Sequence, residues 1–168
     1  MKKTLTAAGI LILISLCAYF VSVRIGMKRP ASIEEIPDTH LKAAVNNTDC
    51  RYFVISHPPE DLYELKALAE DYTEQYISSN GIGDTEDEIY AYHWVFFRET
   101  KVVNTDWKQS DGYFSVDRIE DHFNDIIVSV WWKAEDTEKN YTVRRLSRKS
   151  GSGNIIETKR FAGDKLVE

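Results

Sequence analysis

Residues 51–81, RYFVISHPPEDLYELKALAEDYTEQYISSNG, decide the fold of this 168-residue chain. The first six residues, 51–56, are rich in β-branched and aromatic side chains, a composition that favours strands. His57-Pro58-Pro59 ends the run, because proline cannot continue a hydrogen-bonded ladder. The stretch therefore begins with a short strand over 51–56.

A helix follows the two prolines directly, because proline is tolerated in a first helical turn. Acidic residues near its start suit the positive end of the helix dipole, and Asn80-Gly81 supplies a left-handed stop. The apolar residues between these ends recur at spacings of 3, 4, 3 and 4 and form a single stripe: Leu62, Leu65, Ala69, Tyr72 and Tyr76. We expect this stripe to face the core.

The chain after the helix predicts strands. Residues 89–99 alternate two sets of large apolar side chains, which implies a central strand covered on both faces, at least in part. Residues 126–134, 141–148 and 154–161 read as a meander joined by polar turns. The order strand, long helix, meander predicts an α+β domain in which a curled antiparallel sheet packs on one main helix. This element order resembles the cystatin and NTF2-like architectures, although no motif carries a family assignment.

The N-terminal run 4–23, TLTAAGILILISLCAYFVSV, contains no charged residue. Twenty residues at about 1.5 Å each make a helix about 30 Å long, the thickness of a bilayer core. We expect a retained signal-anchor, because the apolar core exceeds that of a secretory signal and no Ala-x-Ala site follows it. A cleaved signal and a lipid anchor on Cys17 remain alternatives, although Leu16 is larger than the residue that precedes a lipidated cysteine.

The anchor divides the chain into three parts. Residues 1–29 are a membrane anchor with a basic flank, residues 30–49 a juxtamembrane linker with two prolines, and residues 50–168 a soluble domain. Basic residues flank the span equally, so the positive-inside rule does not set the orientation. The Met-Lys-Lys start is typical of bacterial export signals. It predicts a single-pass protein whose C-terminal domain lies outside the cytoplasm.

Charge is distributed unevenly along the chain, whose net charge is −6. Residues 1–29 hold five of the 21 basic residues and no acid, so residues 30–168 carry 16 basic and 27 acidic residues, a net charge of −11. An acidic body disfavours a nucleic-acid partner, because phosphate binding needs a basic face.

Catalytic and metal-binding motifs are absent from the sequence. The four histidines do not form His-x-x-x-His, and neither Cys-x-x-Cys nor Gly-x-Ser-x-Gly occurs. We therefore predict no metal, no cofactor and no catalytic residue, and a binding protein is favoured over an enzyme.

Two groups of residues remain as candidate binding residues. Tyr92, Trp94 and Trp131 could line a ligand pocket on the concave face of the sheet, although such aromatic residues more often form cores. Arg144, Arg145 and Arg148 could meet an anionic partner or lipid headgroups; alternatively, they are outward residues that protect an edge strand.

The sequence thus predicts a membrane-tethered extracytoplasmic binding or accessory domain, with a protein partner in the cell envelope. The alternative is a small-ligand-binding protein or enzyme with a pocket in the concave face.

Overall fold

The computed structural model describes residues 29–36, 41–43, 48–81, 91–105, 122–147 and 154–168. Along these residues, three strands precede one long helix and five strands follow it. The strands of these residues are β1 (Ser32–Glu35), β2 (Leu41–Ala43), β3 (Thr48–Ser56), β4 (Ala91–Arg98), β5 (Ile126–Lys133), β6 (Asn140–Leu146), β7 (Ile155–Ala162) and β8 (Lys165–Leu166). The helix α1 spans Leu62–Asn80, and a 3₁₀ turn spans Phe123–Asp125.

Helix α1 ends where the sequence predicts but begins later, because Asp61 is its N-cap and Pro58 and Pro59 lie before its first turn. His57 turns the chain out of β3 with a φ of 53°, a left-handed conformation that histidine adopts more readily than most residues. Asp61 caps the helix by accepting hydrogen bonds from the backbone N–H groups of Tyr63 (2.9 Å) and Glu64 (3.0 Å). At the other end Gly81, with a φ of 72°, donates its N–H to the carbonyl of Ile77.

The sheet is open and mixed. Its strand order is β1-β3-β4-β5-β6-β7-β8, with β2 also paired to β3. The antiparallel meander over β5, β6 and β7 is confirmed, but the expectation of a wholly antiparallel sheet is wrong, because β3 and β4 pair in parallel. The reason is the helix between them, which returns the chain to the end of the sheet where β3 began.

The segment 30–49 is not simply a linker. Strands β1 and β2 both pair antiparallel with β3, on the edge of β3 that β4 does not occupy, and β3 itself begins at Thr48. Short polar strands of this kind carry little hydrophobic periodicity, so composition and prolines alone suggested a connector. The compact unit accordingly starts at Ala31.

Two hydrophobic clusters cover the two faces of the sheet. On the face toward α1, here called the helix face, Phe53, Trp94 and Phe96 pack with Leu65 and Ala69 of the helix. The opposite face, here called the outer face, carries a smaller cluster of buried residues: Ile36, Tyr52, Val54, Val95, Phe97, Val103 and Ile126. Strand β4 contributes to both clusters, which confirms that it is a central strand covered on both sides.

The predicted membrane segment 4–23 lies outside the described residues. Within those residues, no helix has the length and apolar character to cross a membrane.

Phe53 is the aromatic centre of the helix face. Its ring centroid lies 4.8 Å from that of Phe96, 5.3 Å from that of Tyr72 and 5.4 Å from that of Trp94. We predict that Phe53→Ala lowers the free energy of unfolding by about 3–5 kcal/mol. Phe123→Ala, at a ring that is half exposed, should cost less than about 1 kcal/mol. Urea unfolding of the full-length protein in neutral detergent measures both, and equal midpoints would contradict the assignment of the core.

Candidate functional site

The aromatic residues predicted to line a pocket lie on opposite faces of the sheet. Tyr92 and Trp94 are buried on the helix face, where both pack on Trp132: the Tyr92 ring stacks at 4.8 Å and the Trp94 ring meets it edge-on at 5.4 Å. Trp131 points to the outer face instead and is 40% exposed. The structure therefore separates Trp131 from the two residues with which it was grouped.

The three arginines predicted as partner-binding residues are also separated. Arg144 lies on the outer face, whereas Arg145 lies on the helix face, where it pairs with Glu157 of β7. Arg148 lies outside the described residues. Of the predicted site residues, Trp131 and Arg144 are the two that share an exposed face.

Four residues of the outer face form what we call the outer patch: Phe123, Trp131, Arg144 and Arg160. Trp131 on β5 is opposite Asn140 on β6. Arg144 lies four residues further along β6, which is about 13 Å from Asn140 along the strand. Arg160 on β7 is opposite Thr142, which makes it a diagonal neighbour of Arg144. Phe123, in the 3₁₀ turn before β5, places its ring beneath the Arg144 guanidinium, with Cζ 4.9 Å from the ring centroid. Two half-exposed aromatic rings and two arginines thus occupy one face.

His93 lies beside the outer patch. It is the cross-strand partner of Trp131, and its Nε2 is 2.9 Å from the Ser129 hydroxyl oxygen. Burial lowers the pKa of this imidazole, which favours its neutral form. His93 is therefore a hydrogen-bonded sheet residue that supports Trp131.

Arg144 has no carboxylate partner among the residues that the structure describes. It is half-buried, and its contact there is the Phe123 ring. Burial, followed by the nearby charge of Arg160, lowers the pKa of this guanidinium from its usual value. Arg160 itself is ion-paired with Glu168. The outer patch therefore presents one cation whose charge is balanced by no acid of the described chain.

A second group of polar residues surrounds Arg51 on the helix face. The Arg51 guanidinium donates from Nε to Asp49 Oδ2 (2.9 Å) and from Nη1 to the Tyr76 hydroxyl, and it lies 3.6 Å from Glu35. Tyr76 donates in turn to Glu35 Oε2 (2.7 Å). This Arg51 cluster joins β1, β3 and α1. Because the Arg51 guanidinium already has two carboxylates and a hydroxyl as acceptors, its geometry indicates a structural clamp.

Among the residues that the structure describes, two buried side-chain polar atoms lack a hydrogen-bond partner. Trp94 Nε1 is one, within the tightly packed aromatic rings of the helix face. The other is Asp125 Oδ1, whose carboxylate lies 3.1 Å from His122 Nδ1 through Oδ2 and 4.0 Å from Arg98 Nη2 through Oδ1. Each is a single atom beside filled space or an existing ion pair, so neither defines a ligand site.

Metal coordination finds no support in the residues described, because no three His, Cys, Asp or Glu side chains there come together. Comparison with protein-family models, curated proteins and solved structures finds no match. The assignment of a site therefore depends on the geometry of this chain.

Sequence reasoning missed Phe123 as a surface residue. Its signal is present: it is a lone aromatic residue between Asp121-His122 and Asn124-Asp125. An aromatic residue embedded in polar sequence has no apolar stripe to join, and this pattern could have indicated an exposed ring.

Tyrosine ionisation tests the Arg51 cluster. Burial, followed by Glu35, raises the pKa of Tyr72 and of Tyr76 to about 12, from an ordinary 10. Because the folded state holds these protons more tightly, the resulting stability is complete below pH 10 and is lost as pH rises to about 12. We predict that the free energy of unfolding falls across this window, and that Tyr76→Phe makes the fall shallower.

Urea unfolding as a function of pH, together with tyrosinate absorbance, measures this effect. Val102→Ala is the control, because it changes an exposed side chain that does not ionise and should leave the pH profile unchanged. An identical profile in wild type and Tyr76→Phe would show that the phenol is not part of the clamp.

Proposed function

We propose that this protein is a single-pass, membrane-tethered extracytoplasmic binding or accessory domain that recognises a protein partner in the cell envelope through its outer patch. The observation that carries the proposal is the exposure of Trp131 and Phe123 on the face that also presents Arg144. Tryptophan and arginine are the residues in which binding energy at protein interfaces is most often concentrated.

The construction of the patch supports binding rather than catalysis. Three of its four side chains lie on the paired strands β5, β6 and β7, and Phe123 lies in the 3₁₀ turn directly before β5, so little backbone entropy is lost when a partner docks. Trp131 and Phe123 offer apolar area, and Arg144 offers a directional donor. A nucleophile paired with a base is not found among these residues.

The tether supports a partner close to the membrane. If residues 4–23 span the bilayer, as we propose, eight residues separate the span from β1 at Ser32. Fully extended, they reach at most about 28 Å. The domain would then stay at the membrane surface, where a membrane-bound partner is present at a high effective concentration.

The alternative function, a small-ligand pocket, is less well supported. It requires Tyr92 and Trp94 to line an opening, but Trp94 is 1% exposed and both residues pack on Trp132.

Site-specific crosslinking tests the protein partner. We predict that a benzophenone amino acid at position Trp131, introduced in intact cells, gives an adduct of defined mass with one envelope protein. The adduct should weaken when Phe123→Ala is added, because the second ring of the patch is lost. A benzophenone at Gln75, on the exposed side of α1, is the control and should not give this adduct. Equal adducts at both positions, or an adduct at Gln75 alone, would contradict the assignment of the face.

Fractionation and proteolysis test the tether and the orientation. We predict that full-length protein remains with membranes after alkaline washing, because twenty uncharged residues bury too much apolar surface to be extracted. Protease added to intact spheroplasts should digest the domain. Release by the wash would indicate cleavage, and protection in spheroplasts would place the domain in the cytoplasm.

A further inference from the structure

Basic side chains on the strands β3 to β7 and on the helix follow a common pattern. With one exception, each lies within ion-pair distance of a carboxylate: Arg51, Lys66, Arg98, Lys133, Arg145, Lys159 and Arg160. The exception, among the residues that the structure describes, is Arg144. In an acidic domain with 27 carboxylates in its sequence, a half-buried arginine without one is a specific feature of the outer face.

Withdrawing a cation from water without an acceptor is unfavourable, and a single aromatic ring offsets only part of that cost. The neighbouring Arg160 adds repulsion, since it lies diagonally across from Arg144 on the next strand. The Arg144 guanidinium is therefore held against the Phe123 ring without an acid of the described chain, and a carboxylate from a partner would stabilise its charge.

From this geometry we infer that the partner segment that docks on the outer patch is acidic, and that an aspartate or glutamate of the partner pairs with Arg144 while its neighbours cover Trp131 and Phe123. The inference rests on the proposed function, and it adds the chemistry of the partner. A planar guanidinium stacked on a ring presents a fixed fork, which matches a carboxylate in two-point contact.

An anionic lipid surface is the other source of negative charge, and the structure favours it less. Lipid headgroups are recognised by clusters of several uncompensated basic residues. The outer patch has one such residue, because the charge of Arg160 is balanced by Glu168.

The experiment uses full-length protein in phosphatidylcholine nanodiscs and three probes: a labelled peptide of six glutamates, its six-glutamine analogue, and phosphatidylglycerol vesicles. We expect the glutamate peptide to bind with an affinity that falls as salt rises, because added salt shortens the Debye length from about 8 Å at physiological ionic strength to about 3 Å at 1 M and so screens the attraction between the peptide and Arg144. Arg144→Gln should weaken this binding about fivefold. Arg145→Gln is the matched control: it removes the same charge from the adjacent residue on the other face, and its effect should stay below about twofold.

Two results would overturn the inference: equal affinities of Arg144→Gln and Arg145→Gln for the glutamate peptide, or vesicle binding that depends on Arg144 without peptide binding. The test is separable from that of the proposed function. If the Trp131 adduct forms in cells and persists unchanged in Arg144→Gln, the proposal of a protein partner is supported and the inference that this partner is acidic is wrong. If the glutamate peptide binds in an Arg144-dependent way but no adduct forms, anion binding at Arg144 is supported and the proposal of an envelope partner is contradicted.

Discussion

The rest of this structure depends on the burial of strand β4 on both faces. Trp94 and Phe96 point one way and Val95 and Phe97 the other, so the strand is stable only between two apolar layers. Helix α1 supplies one layer along its length. The outer layer is smaller and is concentrated toward the Phe97 end of β4. Most of its residues lie there: Ile36, Val54, Phe97, Val103 and Ile126. Toward the Trp131 end of β5 this cluster ends, and a tryptophan is left exposed.

The sequence predicts most of this architecture, because hydrophobic periodicity reports directly on faces. The stripe from Leu62 to Tyr76 and the two-sided strand were predictable for that reason. The Gly81 stop was predictable because glycine readily adopts a positive φ at the end of a helix. The parallel pairing of β3 with β4 could have been inferred from the helix between them, because a helical crossover typically joins parallel strands. The downstream meander instead favoured an antiparallel sheet. Strands β1 and β2 have polar sequences, and their place in the sheet is set by the free edge of β3, which is a tertiary constraint.

The site was less predictable than the fold. Alternation within β5 shows that Trp131 and Trp132 face opposite ways, but it does not show which of them faces the helix. That depends on the register with β4, which places Trp132 opposite Tyr92 and Trp131 opposite His93. Long-range register combines turn geometry with the packing of both faces. The same limit applies to Arg144 and Arg145, whose different surroundings follow from their pairing with β7.

Charge compensation explains how the two faces come to differ. On the helix face, Arg51 is enclosed by Asp49, Glu35 and Tyr76, so its charge stabilises the junction of three elements without attracting a further anion. On the outer face, Arg144 is held at a similar depth by Phe123 but without an acid. When the acceptors of a half-buried arginine are internal, truncating either partner destabilises the fold, because it leaves a buried charge unpaired. When the acceptor is absent from the described chain, the same side chain contributes less to folding and becomes available for binding. The contrast between these two arginines is the physical reason for proposing the outer face, rather than the aromatic helix face, as a recognition surface.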